Sequence, residues 1–171
     1  PNASFISRMA FYSSYHNTFG NKRIHFICVP IILYSGALLA SCIPLNFGAS
    51  FPNDVFVPFA SVPLAMILMS IYSIAYILLG NVFATLPFIG FMWVQYYFAQ
   101  LTLFKYGVQI SLLIGVATQV LGWVPQVFIG HHIIEKRAPA LLDDRIGALI
   151  APLFVWYEII WMFGFQKDVY E

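Results

Sequence analysis

The sequence predicts an all-α fold, a polytopic membrane helical bundle with four clear spans and a fifth helix that is spanning or re-entrant. Three observations carry this. Hydrophobic residues make up 61% of the 171 residues and charged ones 9%, with a mean hydropathy of +0.82. A soluble domain carries roughly 25% charged residues. The few charges are also segregated: no Asp, Glu, Lys or Arg occurs from Ile24 to Asn53, from Val55 to Phe104, or from Tyr106 to Gly130. A charge at the bilayer centre costs about 2.5–3.5 kcal/mol on insertion scales, so gaps this long are what burial in lipid demands. Finally, the gaps divide into runs near the roughly 20 residues that one helical span needs.

Phe5 to Tyr15 reads as a short helix with an aromatic face of Phe5, Met9 and Tyr12. It is too short to span and is expected to lie at the interface. His16 to His25 reads as a polar turn with Gly20, Asn21, Lys22 and Arg23. The four spans are then about 24–43 with Pro30 inside, about 55–79 with Pro58 and Pro63 near its start, about 82–104, and about 107–130 with Pro125 near its end. Gly80-Asn81 joins the second and third as a tight antiparallel hairpin. The apolar run 146–165 contains Glu158 and is the fifth helix. An intramembrane carboxylate needs a partner, for which an inward-facing histidine or Arg145 is expected. Asp143 and Asp144 read as its N-terminal cap. The glutamines at 95, 100, 109, 119 and 126 are expected to hydrogen-bond between helices. Cys28 and Cys42 lie fourteen residues apart in one run, about 21 Å on a helix, which excludes a disulfide. No repeat or linker divides residues 1–171, which read as a single integral membrane domain.

Lys22 and Arg23 precede the first span, and Lys136, Arg137 and Arg145 follow the fourth. Four spans between them put both basic clusters on one side, and the positive-inside rule makes that side cytosolic. All four histidines, His16, His25, His131 and His132, fall in these two same-side segments. Neutral imidazole is a common ligand for iron, zinc and copper. These four are therefore candidate metal ligands, with surface histidines at headgroup level as the alternative. On a continuing helix Glu135 stands one turn beyond His131, which would offer an N and an O donor to one point. His131 and His132 point about 100° apart on that helix, so both ligate only if it ends between them. Asn21 is read as a turn residue after Gly20, with holding a ligand or capping the first span as its alternatives. Lys136 and Arg137 are candidates for binding a substrate carboxylate or phospholipid headgroups. The net charge of +1 offers no field for nucleic acid. There is no G-x-S-x-G, P-loop or Rossmann fingerprint, and four histidines are too few for a membrane di-iron centre.

Tyr15-His16 through Asn21 to His25, ahead of Val29-Pro30, forms one motif. Gly122-Trp123, Gln126, and Gly130-His131 through Glu135-Lys136-Arg137 to Pro139-Ala140-Leu141 form the other, followed by Pro152 and Glu158. Together, from about Phe11 to Phe165, these resemble the small endoplasmic-reticulum membrane proteins typified by the yeast 2-hydroxy fatty acid dioxygenase of phytosphingosine breakdown. The resemblance implies a multi-pass protein of the endoplasmic reticulum membrane whose metal site faces the cytosol. It implies Fe(2+)-dependent α-oxidation in which a long-chain 2-hydroxy fatty acid and O2 give the acid one carbon shorter, CO2 and water. The substrate supplies all four electrons, so no NADH, flavin or 2-oxoglutarate is needed. By motif, His16, His25 and His131 carry over as metal ligands, Glu135 and Asn21 as catalytic candidates, and Lys136 and Arg137 as substrate-binding ones. His132 has no counterpart in the motif and joins the metal set only as the fourth same-side histidine. Substrate, O2 and membrane lipid are the implied partners. A non-enzymatic membrane scaffold, or a small transporter with a structural metal, is the alternative.

Overall fold

The computed structural model of the protein describes residues 3–45, 62–139 and 147–165. Its elements in chain order are α1 (Ala3–Ser13), α2 (Phe19–Ser41), a two-residue strand β1 (Pro44–Leu45) paired antiparallel with β2 (Val62–Pro63), α3 (Leu64–Leu79), α4 (Val82–Val124), a π-helix (Pro125–Glu135) and α5 (Gly147–Met162). The fold is helical as expected. The expected cap at Asp143 and Asp144, Arg145, and the expected start of the second span at 55–61 lie outside the described residues.

α2 begins earlier than its apolar run implies. Thr18 is an extended N-cap whose hydroxyl accepts from the Asn21 amide at 3.4 Å, a cap worth about 1 kcal/mol. The segment 19–25 is therefore helix rather than turn, and His25 stands in the second turn of α2. α3 starts at Leu64 directly after Pro63, its extended N-cap residue. It is 16 residues long, shorter than the expected second span. At the α3–α4 turn Asn81 Oδ1 accepts from the Phe83 and Ala84 amides, while its own amide donates to the Tyr157 hydroxyl at 2.7 Å. Gly80 is required there, because a Cβ would meet Thr85 Oγ1 at 2.5 Å and the Tyr157 hydroxyl at 3.0 Å.

The third and fourth expected spans are one helical run, Val82–Glu135, interrupted at Gly107. Gly107 has φ 72° and ψ 175°, a region essentially reserved for glycine. The chain doubles back there: Ser111 Oγ reaches the Thr102 carbonyl at 3.5 Å, whereas nine residues of straight helix would separate them by about 13.5 Å. Both halves pack along α2 in opposite directions. Gln95 donates to the Pro30 carbonyl and Gln100 to Ser41 Oγ. In the second half Gly115 meets Leu39, Gly122 meets Ile32 and Gly130 meets Asn21. Of the five glutamines, Gln95, Gln100 and Gln119 hydrogen-bond to α2; Gln126 bonds within its own helix and Gln109 is exposed.

Among the described residues two helices, Phe19–Ser41 and Val82–Glu135, are long and apolar enough to cross a membrane, and Leu64–Leu79 and Leu149–Met162 are shorter apolar helices. The outward surface is large and apolar, with Phe83 82%, Leu78 71% and Leu113 66% exposed, a surface that a bilayer accepts and water does not. The aromatic face expected on α1 packs inside the protein. Phe5 and Met9 are buried, Phe5 lies 5.3 Å from the Tyr157 ring, and Tyr12 lies 4.8 Å from that of Phe154. Its aromatic face is thus covered by α5, which competes with lipid for the same apolar area.

Candidate metal centre

Three elements each deliver one imidazole to the same buried point. His16 follows α1 in the turn before α2, its ring stacked on Tyr12 at 5.0 Å. His25 comes from α2 and His131 from the π-helix. Their ring centroids are 4.6–5.2 Å apart, all three are buried, and one ligand atom from each lies within 4.8 Å of the others.

The hydrogen bonds fix what two of these rings can offer. His16 Nδ1 is 3.0 Å from the Tyr12 carbonyl and His25 Nδ1 is 3.0 Å from the Asn21 carbonyl. A carbonyl only accepts, so both protons sit on Nδ1 and both Nε2 atoms carry bare lone pairs. Those Nε2 atoms face each other at 3.3 Å. Burial, reinforced by the neighbouring His25, pushes the His16 imidazole down to a pKa of about 3, so it is neutral at pH 7 and brings no proton to bridge the pair. His131 Nδ1 is buried and has no hydrogen-bond partner among the described residues. Two lone pairs pointed at one another repel unless a cation lies between them. Nitrogens each ~2.1 Å from a shared metal stand roughly 3.0–3.4 Å apart. The donor set therefore fits a divalent transition metal. Backbone carbonyls that hold Nδ1–H are the usual means of orienting a ligating imidazole.

Glu135 is occupied elsewhere. Its Oε1 accepts from the Thr18 amide at 2.8 Å, from the Thr18 hydroxyl at 2.9 Å and from Asn21 Nδ2 at 3.3 Å. It thus clasps the end of the π-helix to the start of α2. Asn21, fully buried, links this clasp to the centre, because its side chain holds Glu135 while its carbonyl orients His25. Gly130 makes this approach possible, since a Cβ there would overlap Asn21 Oδ1. The π-helix ends at Lys136 in a left-handed conformation (φ 53°), where its amide and that of Arg137 both close on the His131 carbonyl.

The remaining sequence candidates lie apart from the three rings. His132 is exposed, its ring 5.8 Å from that of Phe128, because His131 takes the inward direction of the same helical turn. Lys136 is exposed. Arg137 donates to the Ser14 carbonyl at 3.1 Å and lies 3.7 Å over the Tyr15 ring. Glu158 pairs with Lys22 at 2.9 Å rather than with a histidine, and Arg145, its other expected partner, lies outside the described residues. The polar residues of 19–25 belong to α2, which aims Lys22 at α5.

A cavity opens from the centre. His25 and His131 form one end, and Val29, Leu33, Val127 and Trp123 line the walls beyond them. Sequence reasoning assigned no role to Trp123 or Leu33. Their i+8 and i−8 spacing from His25 and His131 is the signal that points to them.

The fold and this centre define a helical protein with membrane-length helices and a buried three-histidine site. Comparison with protein families matches residues 2–163 to the family described as 2-hydroxy-palmitic acid dioxygenase Mpo1-like. The chain is 31% identical to the 2-hydroxy-palmitic acid dioxygenase MPO1 of Saccharomyces cerevisiae over 161 residues, covering 94% of this chain and 82% of that protein. No solved structure matches the chain. The chain belongs to the Mpo1-like family.

Proposed function

We propose that the chain is an Fe(2+)-dependent dioxygenase that α-oxidises long-chain 2-hydroxy fatty acids. The overall change is R–CHOH–COOH + O2 → R–COOH + CO2 + H2O, in which the substrate loses four electrons and O2 gains them. The observation that carries this reading is the 3.3 Å approach of two Nε2 lone pairs whose Nδ1 protons are both committed to carbonyls. Bound iron(II) supplies the one-electron chemistry that O2 needs to react with a closed-shell acid. His16, His25 and His131 would hold the metal. Tyr12 and Asn21 fix the His16 and His25 tautomers through their carbonyls, so that no proton competes for Nε2. Asn21 and Glu135 are positioning groups, since their side-chain bonds join the α2 start to the π-helix. Lys136 and Arg137, exposed and apart from the three rings, supply positive charge at the headgroup region that attracts the substrate carboxylate as it arrives. The relative's printed substrate, 2-hydroxy-palmitic acid, supports the substrate class.

The same reading makes this a multi-pass protein of the endoplasmic reticulum membrane, with its site at the cytosolic face. Each half of Val82–Glu135 exceeds the roughly 20 residues a span needs, and the reversal at Gly107 makes them an antiparallel pair. With α2 and the chain leading through α3, four crossings result, and the single integral domain holds the site where its first and last members meet. The test uses protein purified in detergent or nanodiscs. One iron per chain, with 2-hydroxypalmitate converted to pentadecanoate and one O2 consumed per CO2 released, is expected. Zinc in place of iron, with no turnover after iron reconstitution, would select the scaffold reading instead.

A further inference from the structure

The cavity beside the histidines has a direction. On α2 its lining residues run from His25 through Val29 to Leu33, eight residues or about 12 Å of helix. On the opposite wall they run from His131 through Val127 to Trp123, also eight residues. Apart from Gln126, whose amide is turned to the Gly122 carbonyl at 3.2 Å, the stretch below the imidazoles is apolar. At the far end of the cavity stands Trp123, which is 41% exposed and so also borders the outer surface. Trp123 Nε1 donates to Gln119 Oε1 at 2.8 Å, and Gln119 Nε2 donates across to the Ile32 carbonyl at 3.3 Å. The indole is thus tied through one glutamine to the backbone of the facing helix. Beside it α2 and α4 close together, because a Cβ on Gly122 would meet Ile32 at 2.5 Å.

We infer that this cavity is the slot for the acyl tail, and that Trp123, braced by Gln119, is the floor that sets chain length. The inference rests on the reading that a 2-hydroxy fatty acid is the substrate. The hydroxyl and carboxylate lie among the histidines, and the tail descends between α2 and α4. Each methylene moved from water to an apolar wall is worth about fourfold in binding. A tail that meets the floor too early forfeits that gain, and one that stops short leaves the slot partly empty.

Two measurements on the full-length protein test this. The first is kcat/KM for a series of saturated 2-hydroxy acids that differ by two carbons, in wild type and Trp123→Ala. Removing the indole is expected to favour longer tails, raising the ratio of the next longer acid to the wild-type optimum about tenfold. Gln119→Leu, which frees the indole without removing it, broadens the profile less. The second measurement needs no turnover. A 2-hydroxy acid carrying a diazirine on its terminal carbon is expected to crosslink wild type at Leu33 or Trp123, competed by the unlabelled acid. An unchanged length profile in Trp123→Ala, or terminal crosslinks confined to other helices, overturns the slot. Crosslinking at Leu33 or Trp123 in a protein that turns over no 2-hydroxy acid keeps the slot and sinks the dioxygenase reading. Turnover with crosslinks elsewhere does the reverse.

Discussion

The two ends of the interface between α2 and α4 use polar side chains in opposite ways. At the far end, Gln100 donates to Ser41 at 2.7 Å and Tyr34 pairs with Thr102 at 2.7 Å. Each is a donor met by an acceptor, and their effect is to hold two helices together inside apolar surroundings. At the histidine end, hydrogen bonds instead fix the wrong sides of the rings, so that lone pairs face one another. The first arrangement is complete as it stands. The second is costly without a ligand, since an unmet buried polar atom forfeits about 1–3 kcal/mol. The contrast teaches that hydrogen bonding alone does not mark a structural pair. What separates holding from presenting is whether the outer atoms of the pair are already spent.

The sharpest way to break this contrast is to remove one ring. His25→Ala is expected to abolish bound iron and turnover together, while Gln100→Ala at the other end leaves iron stoichiometry at the wild-type value and lowers only the melting temperature. Iron retained in His25→Ala would put both ends in the same class. Next in size is Gly130→Ala. Its new methyl overlaps Asn21 Oδ1, and overpacking of this kind costs about 1–3 kcal/mol. Because Asn21 also orients His25, metal affinity is expected to fall 10–100-fold, as for other groups that support a ligand. Metal titration beside a thermal melt measures both, and unchanged affinity in a destabilised protein would remove Asn21 from the centre.

Glu135→Gln is expected to be milder. The amide oxygen still accepts from Thr18 but loses the charge, and hydrogen bonds to charged groups are the stronger ones. About tenfold weaker iron binding is the expected result, on the low side of that supporting range. Loss as complete as in His25→Ala would make Glu135 a ligand. The smallest effect belongs to His132→Ala, which is expected to keep full iron and nearly full turnover because that ring faces outward. Metal loss there would require the π-helix to open between positions 131 and 132.

The sequence was most informative where chemistry and hydropathy coincide. Charge-free runs fixed the helical class, and the motifs around His16, His25 and His131 pointed to the rings that the fold brings together. Other features depended on tertiary contacts that have no local signature. Thr18 extends α2 back through the polar residues 19–25, so Lys22 meets Glu158, a pairing that no spacing announces. By contrast, the break at Gly107 falls where the expected fourth span begins. The aromatic face of α1 reads the same whether lipid or α5 covers it. The separation of His131 from His132 was legible from helix geometry, while the π-helical form of that segment was not.

The clasp of Thr18 by Glu135 joins residues 117 apart in the chain. During synthesis at about 5–20 residues per second, roughly 6–23 s separate the appearance of its two halves. Throughout that interval His16 and His25 wait without their third companion, and the Tyr12 and Asn21 carbonyls alone hold their rings. Iron captured early would find two imidazoles and no closed pocket. On the iron reading, stable loading would therefore require the helices between the two halves to be in place, and a chain stalled anywhere before the π-helix would leave the metal unbound.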